Sequence, residues 1–512
     1  MKKLILSALF ATGLVAGIEA APTDTVTQAD LQAIIQRLNK LESENKAQAA
    51  KIAELEGKNK ALVAQQAATE KKVATVTVAK AGDGKAKADK TTEISESGKV
   101  YTTESGRKYY LADATANIFE PLSESGLQIT PYGYLVFEGV YSTRPLDCDW
   151  SADFVKPRKG KTNNTTLSMQ DSILGVQFDT PEAVGGWTFS GRAEFDLAGG
   201  DQNSYDFHWR HLYVNAAHES GWSILFGQTW HLWKMVTPSE IDGAWMENAG
   251  HPYRRSPQLR VTKKWDWEDS SLEARVGIVK GGPGMGGDRD GDGVQDNTAS
   301  AWVLFEGALV YDRVAPWQNT EDGLQDGRWL LGVGGQYGND RSHRLTGWNA
   351  AEDEGVYDGQ EDEYKSMMGM IAASLPIWRF TLKGQFYAGQ DLGGVQAGCG
   401  QRVAYNSFGG RGNEVRTIGG FIDLGYKLTD KWSFAAGWGC DDPVDSDVED
   451  AKAGVDSILY NDRFYVDAFY QITSNFRLGF EYARLMTSYA ESTGHGGDFD
   501  ADRIQFSAFY DF

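Results

Sequence analysis

Proline is scarce in this 512-residue chain, at 13 residues, and cysteine is scarcer still, at three. Cys148, Cys399 and Cys440 are too few for a disulfide scaffold, and one would be left over if a pair formed in an oxidising compartment. Basic residues are the minority: 50 Lys and Arg stand against 71 Asp and Glu, a formal net charge of -21. That balance excludes a nucleic-acid partner, whose phosphates need clustered cations. Beyond the N-terminus no apolar run is long enough for a membrane-spanning helix, and mean hydropathy is -0.43. This excludes a helical bundle in a bilayer but not a barrel, whose strands alternate apolar and polar residues. Recognisable catalytic signatures are missing too. No G-x-S-x-G stretch occurs, and "GGPGMGG" lacks the Gly-Lys-Ser/Thr of a phosphate loop. The chain is therefore not expected to be an enzyme or to require a cofactor.

What is present begins with "MKKLILSALFATGLVAGIEA", where Lys2 and Lys3 precede an apolar stretch and then small residues. Residues 1–20 read as a secretory signal. A heptad follows over 28–80. Leu31, Leu38, Asn45, Ile52, Asn59, Gln66 and Val73 recur every seven residues. Ile34, Leu41, Gln48, Leu55, Leu62, Thr69 and Val76 form a second series offset by three. So narrow a stripe needs partner helices, which predicts an α-helical coiled coil and an oligomer; the polar members weaken its seam. Residues 81–126 are rich in Gly, Lys, Ser, Thr and Glu, with "SESG" at 95 and 123 and "TESG" at 103. They read as a flexible linker.

From 127 to 512 short alternating segments dominate, and sixteen can be counted. "WTFSGRAEFDLAG" places Phe189, Ala193, Phe195 and Leu197 on one face and Arg192, Glu194 and Asp196 on the other. Long connections (143–171, 230–256, 281–299, 341–363, 391–413, 442–458 and 488–499) alternate with short ones such as "PEAVGG", "HESG", "PI" and "TDK". Long loops at one end and tight turns at the other predict an all-β transmembrane barrel of about 16 antiparallel strands. An even strand number puts both barrel ends, and hence the coiled coil, on the periplasmic side of an outer membrane. The chain ends "RIQFSAFYDF", an alternating strand in which Phe509 breaks the polar phase. A last strand of this kind is no free edge in a closed barrel.

"SILGVQFDTPEAVGGWTFSGRAEFDLAGG", "FHWRHLYV", "ILFGQTW" and "YRRSPQLRVTKKW" resemble the DcaP-like outer-membrane porins. The resemblance implies a periplasmic N-terminal coiled coil, a trimeric 16-stranded barrel in outer-membrane lipid, and passage of small anionic solutes, dicarboxylates among them, past inward arginines. Arg192, Arg210, Arg255 and Arg260 fit such a lining, with Glu194 and Asp196 beside them. Phe506, Tyr510 and Phe512 resemble the terminal signal that the barrel-assembly machinery reads. Peptidoglycan is a candidate partner of the rod. The expectation is a porin for passive diffusion of small hydrophilic solutes, with preference for anions; the rival is a tethering or adhesive barrel without selective transport.

Two acidic groups bear on mechanism. Glu240, Asp242 and Glu247 lie on the connection 230–256, which general porins fold into the channel. Facing inward arginines, they would set up a transverse field; alternatively, the arginines pair with Glu194 and Asp196 as structural ladders. "DRDGDGVQD" spaces Asp288, Asp290, Asp292 and Asp296 around Gly293, a pattern able to wrap one Ca²⁺ in an extracellular loop. His208, His211 and His218 invite a metal reading, but strict alternation puts 208 and 211 on opposite faces, as it does 211 and 218.

Overall fold

A computed structural model describes residues 94–95, 98–102, 108–111, 127–157, 162–180, 185–199, 205–281, 303–315, 327–349, 354–451, 457–491 and 496–512. The signal pattern, the heptad segment and Asp288 to Asp296 lie outside the described residues. Within the expected linker, Ile94–Ser95, Gly98–Thr102 and Lys108–Leu111 pair as a small antiparallel sheet. In sequence, the "SESG" at 95 and the "TESG" at 103 lie between successive strands of this sheet.

Sixteen antiparallel strands close into a barrel. The first half comprises β1 (Gln128–Ser142), β2 (Asn164–Ser168 continued by Ile173–Asp179), β3 (Trp187–Asp196), β4 (His208–His218), β5 (Trp222–Trp230), β6 (Arg255–Asp266), β7 (Ser270–Val279) and β8 (Leu304–Val314). The second half comprises β9 (Arg328–Asn349), β10 (Glu354–Ile377), β11 (Phe380–Gln390), β12 (Arg416–Lys427), β13 (Trp432–Pro443), β14 (Ile458–Gln471), β15 (Phe476–Tyr489) and β16 (Gly497–Asp511). Both pieces of β2 pair with β1, at its two ends.

The outer face explains why these strands form. Leu212, Phe226, Leu259, Val276, Leu309, Val333, Ile371, Phe386, Ile422, Val466 and Phe480 all point outward and are exposed. At the tight-turn end the exposed set is aromatic, with Trp222, Trp265, Trp267, Trp378, Trp432 and Phe512. An apolar band edged by such a girdle matches a bilayer and its interface. Closure is made by β16 on β1, from Arg503↔Ser142 to Asp511↔Tyr134. Phe512 then exchanges two backbone hydrogen bonds with Gly133, at 3.0 and 3.1 Å. Phe506, Tyr510 and Phe512 share the outward phase. Phe509 turns inward instead, against Val136 and Ile241 with Tyr134 at its edge, which accounts for the one break in the terminal alternation.

Three connections differ from expectation, the first being 143–171, where Asn164–Ser168 is paired strand. Residues 341–363 are mostly paired strand, because β9 and β10 extend to Asn349 and Glu354. Residues 391–413 contain a 3₁₀ turn at Gly393–Val395 and a short ribbon of Val403–Ala404 on Asn413–Glu414.

Candidate functional site: the barrel lumen

The connection 231–254 folds into the lumen and crosses it. It leaves β5 with His231, whose backbone N–H donates to Arg254 O at 3.0 Å and closes the loop's base. His231 Nδ1 meets Glu306 of β8 at 2.5 Å, and Trp233 Nε1 donates to Gln336 of β9 at 3.2 Å. Lys383 of β11 donates to Thr237 O, and Ser239 N–H donates to Asp423 of β12. The tip then reaches β14, β15 and β16: Glu240 meets Arg463 at 2.7 Å, Ile241 N–H donates to Glu481 at 2.8 Å, and Asp242 meets Arg503 at 2.9 Å. On its return Gly250 N–H donates to Asp441 of β13 at 2.8 Å.

Apolar contacts also hold the loop. Leu232, Trp233 and Met246 are wholly buried, and each such side chain contributes about 1.5–3 kcal/mol. Val236 and Met246 pack with Leu146 and Val155 of the first long loop and with Phe421, Tyr465 and Leu485 of the wall. Trp245, Met246 and Asn248 have φ of 46, 59 and 53°, left-handed values that surrounding contacts must maintain. Gly250, at φ 103°, lies so close to Gly420 O that a β-carbon would collide with it.

The wall from β3 to β7 is basic. Arg210 is a ladder residue: it donates to Glu194 at 2.9 Å and to Asp196 at 2.6 Å, and it is buried. Arg192 approaches Glu194 only at 3.7 Å and lies over the Tyr132 ring. Arg260 donates to Gln258 and to Trp230 O and makes no ion pair among the described residues. Arg255 stacks 4.3 Å from the Trp230 ring centre, and its buried Nη1 has no hydrogen-bond partner among the described residues. Lys234 lies over the same ring at 4.8 Å. Burial, followed by Arg255, Arg210 and Lys383, holds the Lys234 ammonium down to about 7. Near the tight-turn ends of β6–β11 a cavity of about 520 Å³ is lined by Lys264, Glu273, Arg275, Asp312, Arg328 and Lys383.

The expected opposition of loop carboxylates and inward arginines takes a different form. Glu240 and Asp242 are buried against Arg463 and Arg503. Glu247 accepts from Tyr253 at 3.0 Å. Among the described residues no ion pair joins these three acids to Arg192, Arg210, Arg255 or Arg260.

The histidine geometry also needs correction. The β3–β4 register steps from Glu194↔His211 to Phe195↔Trp209, leaving Arg210 as an extra residue. This bulge turns Arg210 and His211 both inward. His208 therefore reaches Asp196 at 3.2 Å from the same side as His211, which meets Thr229 Oγ1 at 2.9 Å. The two rings serve separate partners. Arg463, Arg503 and Lys234 also face the lumen, beside the arginines picked out by sequence. Arg463 and Arg503 sit on the polar phase of plainly alternating strands, a signal sufficient to find them; Lys234 lies on a loop without one.

Neither a protein-family model nor a curated protein matches the chain. Several solved structures do. The outer-membrane channel DcaP of Acinetobacter baumannii matches at 17% identity over 76% of this chain and 98% of that one, with a TM-score of 0.57. The anion-selective porin of Comamonas acidovorans matches at 11% identity over 75% of this chain and 100% of that one, TM-score 0.45. OmpT of Vibrio cholerae in its trimer form matches at 14% over 76% and 100%, TM-score 0.46. The chain has the closed 16-strand barrel fold of DcaP, the fold that its sequence resemblance implies.

Proposed function

We propose that this chain is an outer-membrane porin that lets small hydrophilic solutes diffuse passively and favours anions, with dicarboxylates the class implied by the sequence resemblance. The apolar outer band and the DcaP-type barrel support the channel reading. The anion preference rests on one observation: Arg255 and Lys234 share the Trp230 ring, and Arg255 has no carboxylate partner among the described residues.

Arginine stays charged at any relevant pH. An anion about 5 Å from one such charge gains about 1 kcal/mol in a water-like dielectric and about 3 kcal/mol at an effective dielectric of 20. That suffices for a severalfold bias while keeping binding weak enough for exit. Arg210, neutralised by Glu194 and Asp196, shapes the wall rather than attracting the solute. The protein acts as a homo-oligomer, a trimer in the reading taken from the resemblance, with its rod in the periplasm. Planar-bilayer conductance tests the channel, and the zero-current potential in a salt gradient tests its preference. A folded protein that inserts and conducts nothing would leave the tethering reading in its place.

A further inference from the structure

The lumen holds a second charged cluster on the side opposite the basic wall. Asp467 of β14 stands directly across from Glu481 of β15. Both are buried, at 1% and 3% exposure, and neither oxygen of Asp467 receives a hydrogen bond. The charges that bear on Asp467 most strongly are carboxylates, those of Glu481, Glu240 and Asp423. Oxygens of Glu240, Asp242 and Glu481 lie within 4.8 Å of one another. Arg463 touches Glu240 and Asp242, and Arg503 touches Asp242 and Glu481. Asp423 has Lys383 at 3.5 Å. If all four are ionised, Asp467, Glu481, Glu240 and Asp242 face two guanidinium groups and leave two negative charges uncompensated away from solvent, with buried Glu138 adding to the same field. Burial of charge on that scale is strongly unfavourable without a counter-ion.

We propose that Asp467, Glu481, Glu240 and Asp242 bind one Ca²⁺ that clamps the tip of the inward loop to β14 and β15. A single divalent ion cancels the surplus, whereas a proton shared by Asp467 and Glu481 cancels half of it. The donors are all oxygen, with no Cys or His, which disfavours zinc. Ca²⁺ takes six to eight oxygens at about 2.3–2.6 Å, so ligands on opposite sides of the ion lie about 5 Å apart, a span that Glu240, Asp242 and Glu481 match, with Asp467 reaching the ion from its place across from Glu481. Mg²⁺ demands stricter octahedral geometry than a loop tip laid on two strands supplies. Both oxygens of Glu240, Asp242 Oδ1 and Glu481 Oε1 each accept one N–H and keep a lone pair for the ion, whereas Glu481 Oε2 and Asp242 Oδ2 each meet two donors. The site is independent of anion selectivity and of the 288–296 segment.

The test is calorimetry of the full chain in detergent, stripped with EDTA and titrated with Ca²⁺. It uses an Asp290→Ala/Asp292→Ala background that disables the acidic segment. One Ca²⁺ per chain should bind there, and adding Asp467→Asn should weaken it at least tenfold. Unchanged binding in the Asp467→Asn protein would overturn the site, as would the absence of binding in the folded background. If Asp467→Asn does not fold, the background protein decides alone: its thermal unfolding midpoint should rise with Ca²⁺ and fall with EDTA, and no change overturns the proposal.

Discussion

Asp242 and Arg503 meet at 2.9 Å, a contact that joins the tip of a loop leaving β5 to the last strand of the barrel. Both side chains are buried, and Arg503 also holds Glu481 at 3.1 Å. Removing one partner of a buried pair strands the other's charge, at a cost of about 3–5 kcal/mol. Arg503→Ala should therefore lower barrel stability by that order in a denaturant series. It should also loosen the inward loop, so that single-channel conductance rises. An unaltered midpoint would show that the contact contributes nothing net.

The terminal strand carries a second expectation. Phe512 exchanges backbone bonds with Gly133 and presents its ring outward. Phe512→Asp places a charge in the aromatic girdle and removes the end of the apolar phase read as an assembly signal. Outer-membrane levels of this variant should fall severalfold; normal levels would count against the signal.

Much of this was legible beforehand, for reasons visible in single residues. Alternation in β3 set Arg192, Glu194 and Asp196 against Phe189, Ala193 and Phe195, and the structure keeps those phases. Loop lengths marked the two ends of the barrel. The bulge at Arg210 could not be read, because an extra residue shifts the phase without altering composition. Nor could the partners of Glu240 and Asp242 be found, since contacts from a loop to β14 and β16 span more than 220 positions of sequence. The DcaP-like resemblance pointed to arginines on β3, β4 and β6; that Arg255 and Lys234 share the Trp230 ring and form no ion pair among the described residues required the fold.

The N-terminal segment remains a separate expectation. Residues 28–76 carry a and d positions through seven heptads despite polar members. The isolated peptide should self-associate as helices in sedimentation and circular dichroism. A monomeric, non-helical peptide at high micromolar concentration would refute the rod.

Selectivity should depend on pH. Lys234 is held down to about 7 by burial and by the neighbouring cations Arg255, Arg210 and Lys383. A depressed lysine is charged below that value and neutral above it. Anion preference should thus be stronger at pH 6 than at pH 8.5, and Lys234→Met should abolish the difference. A zero-current potential equally pH-dependent in the variant would assign the effect elsewhere.

On the proposed reading, Arg255 and Lys234, which form no ion pair among the described residues, make this barrel an anion-preferring channel. The most direct measurement is the zero-current potential across a planar bilayer in a tenfold KCl gradient, comparing the unmodified chain with Arg255→Ser/Lys234→Met. The unmodified channel should give an anion-selective potential, and the double variant should shift severalfold in permeability ratio toward cations with conductance retained. An unmoved potential would contradict the claim.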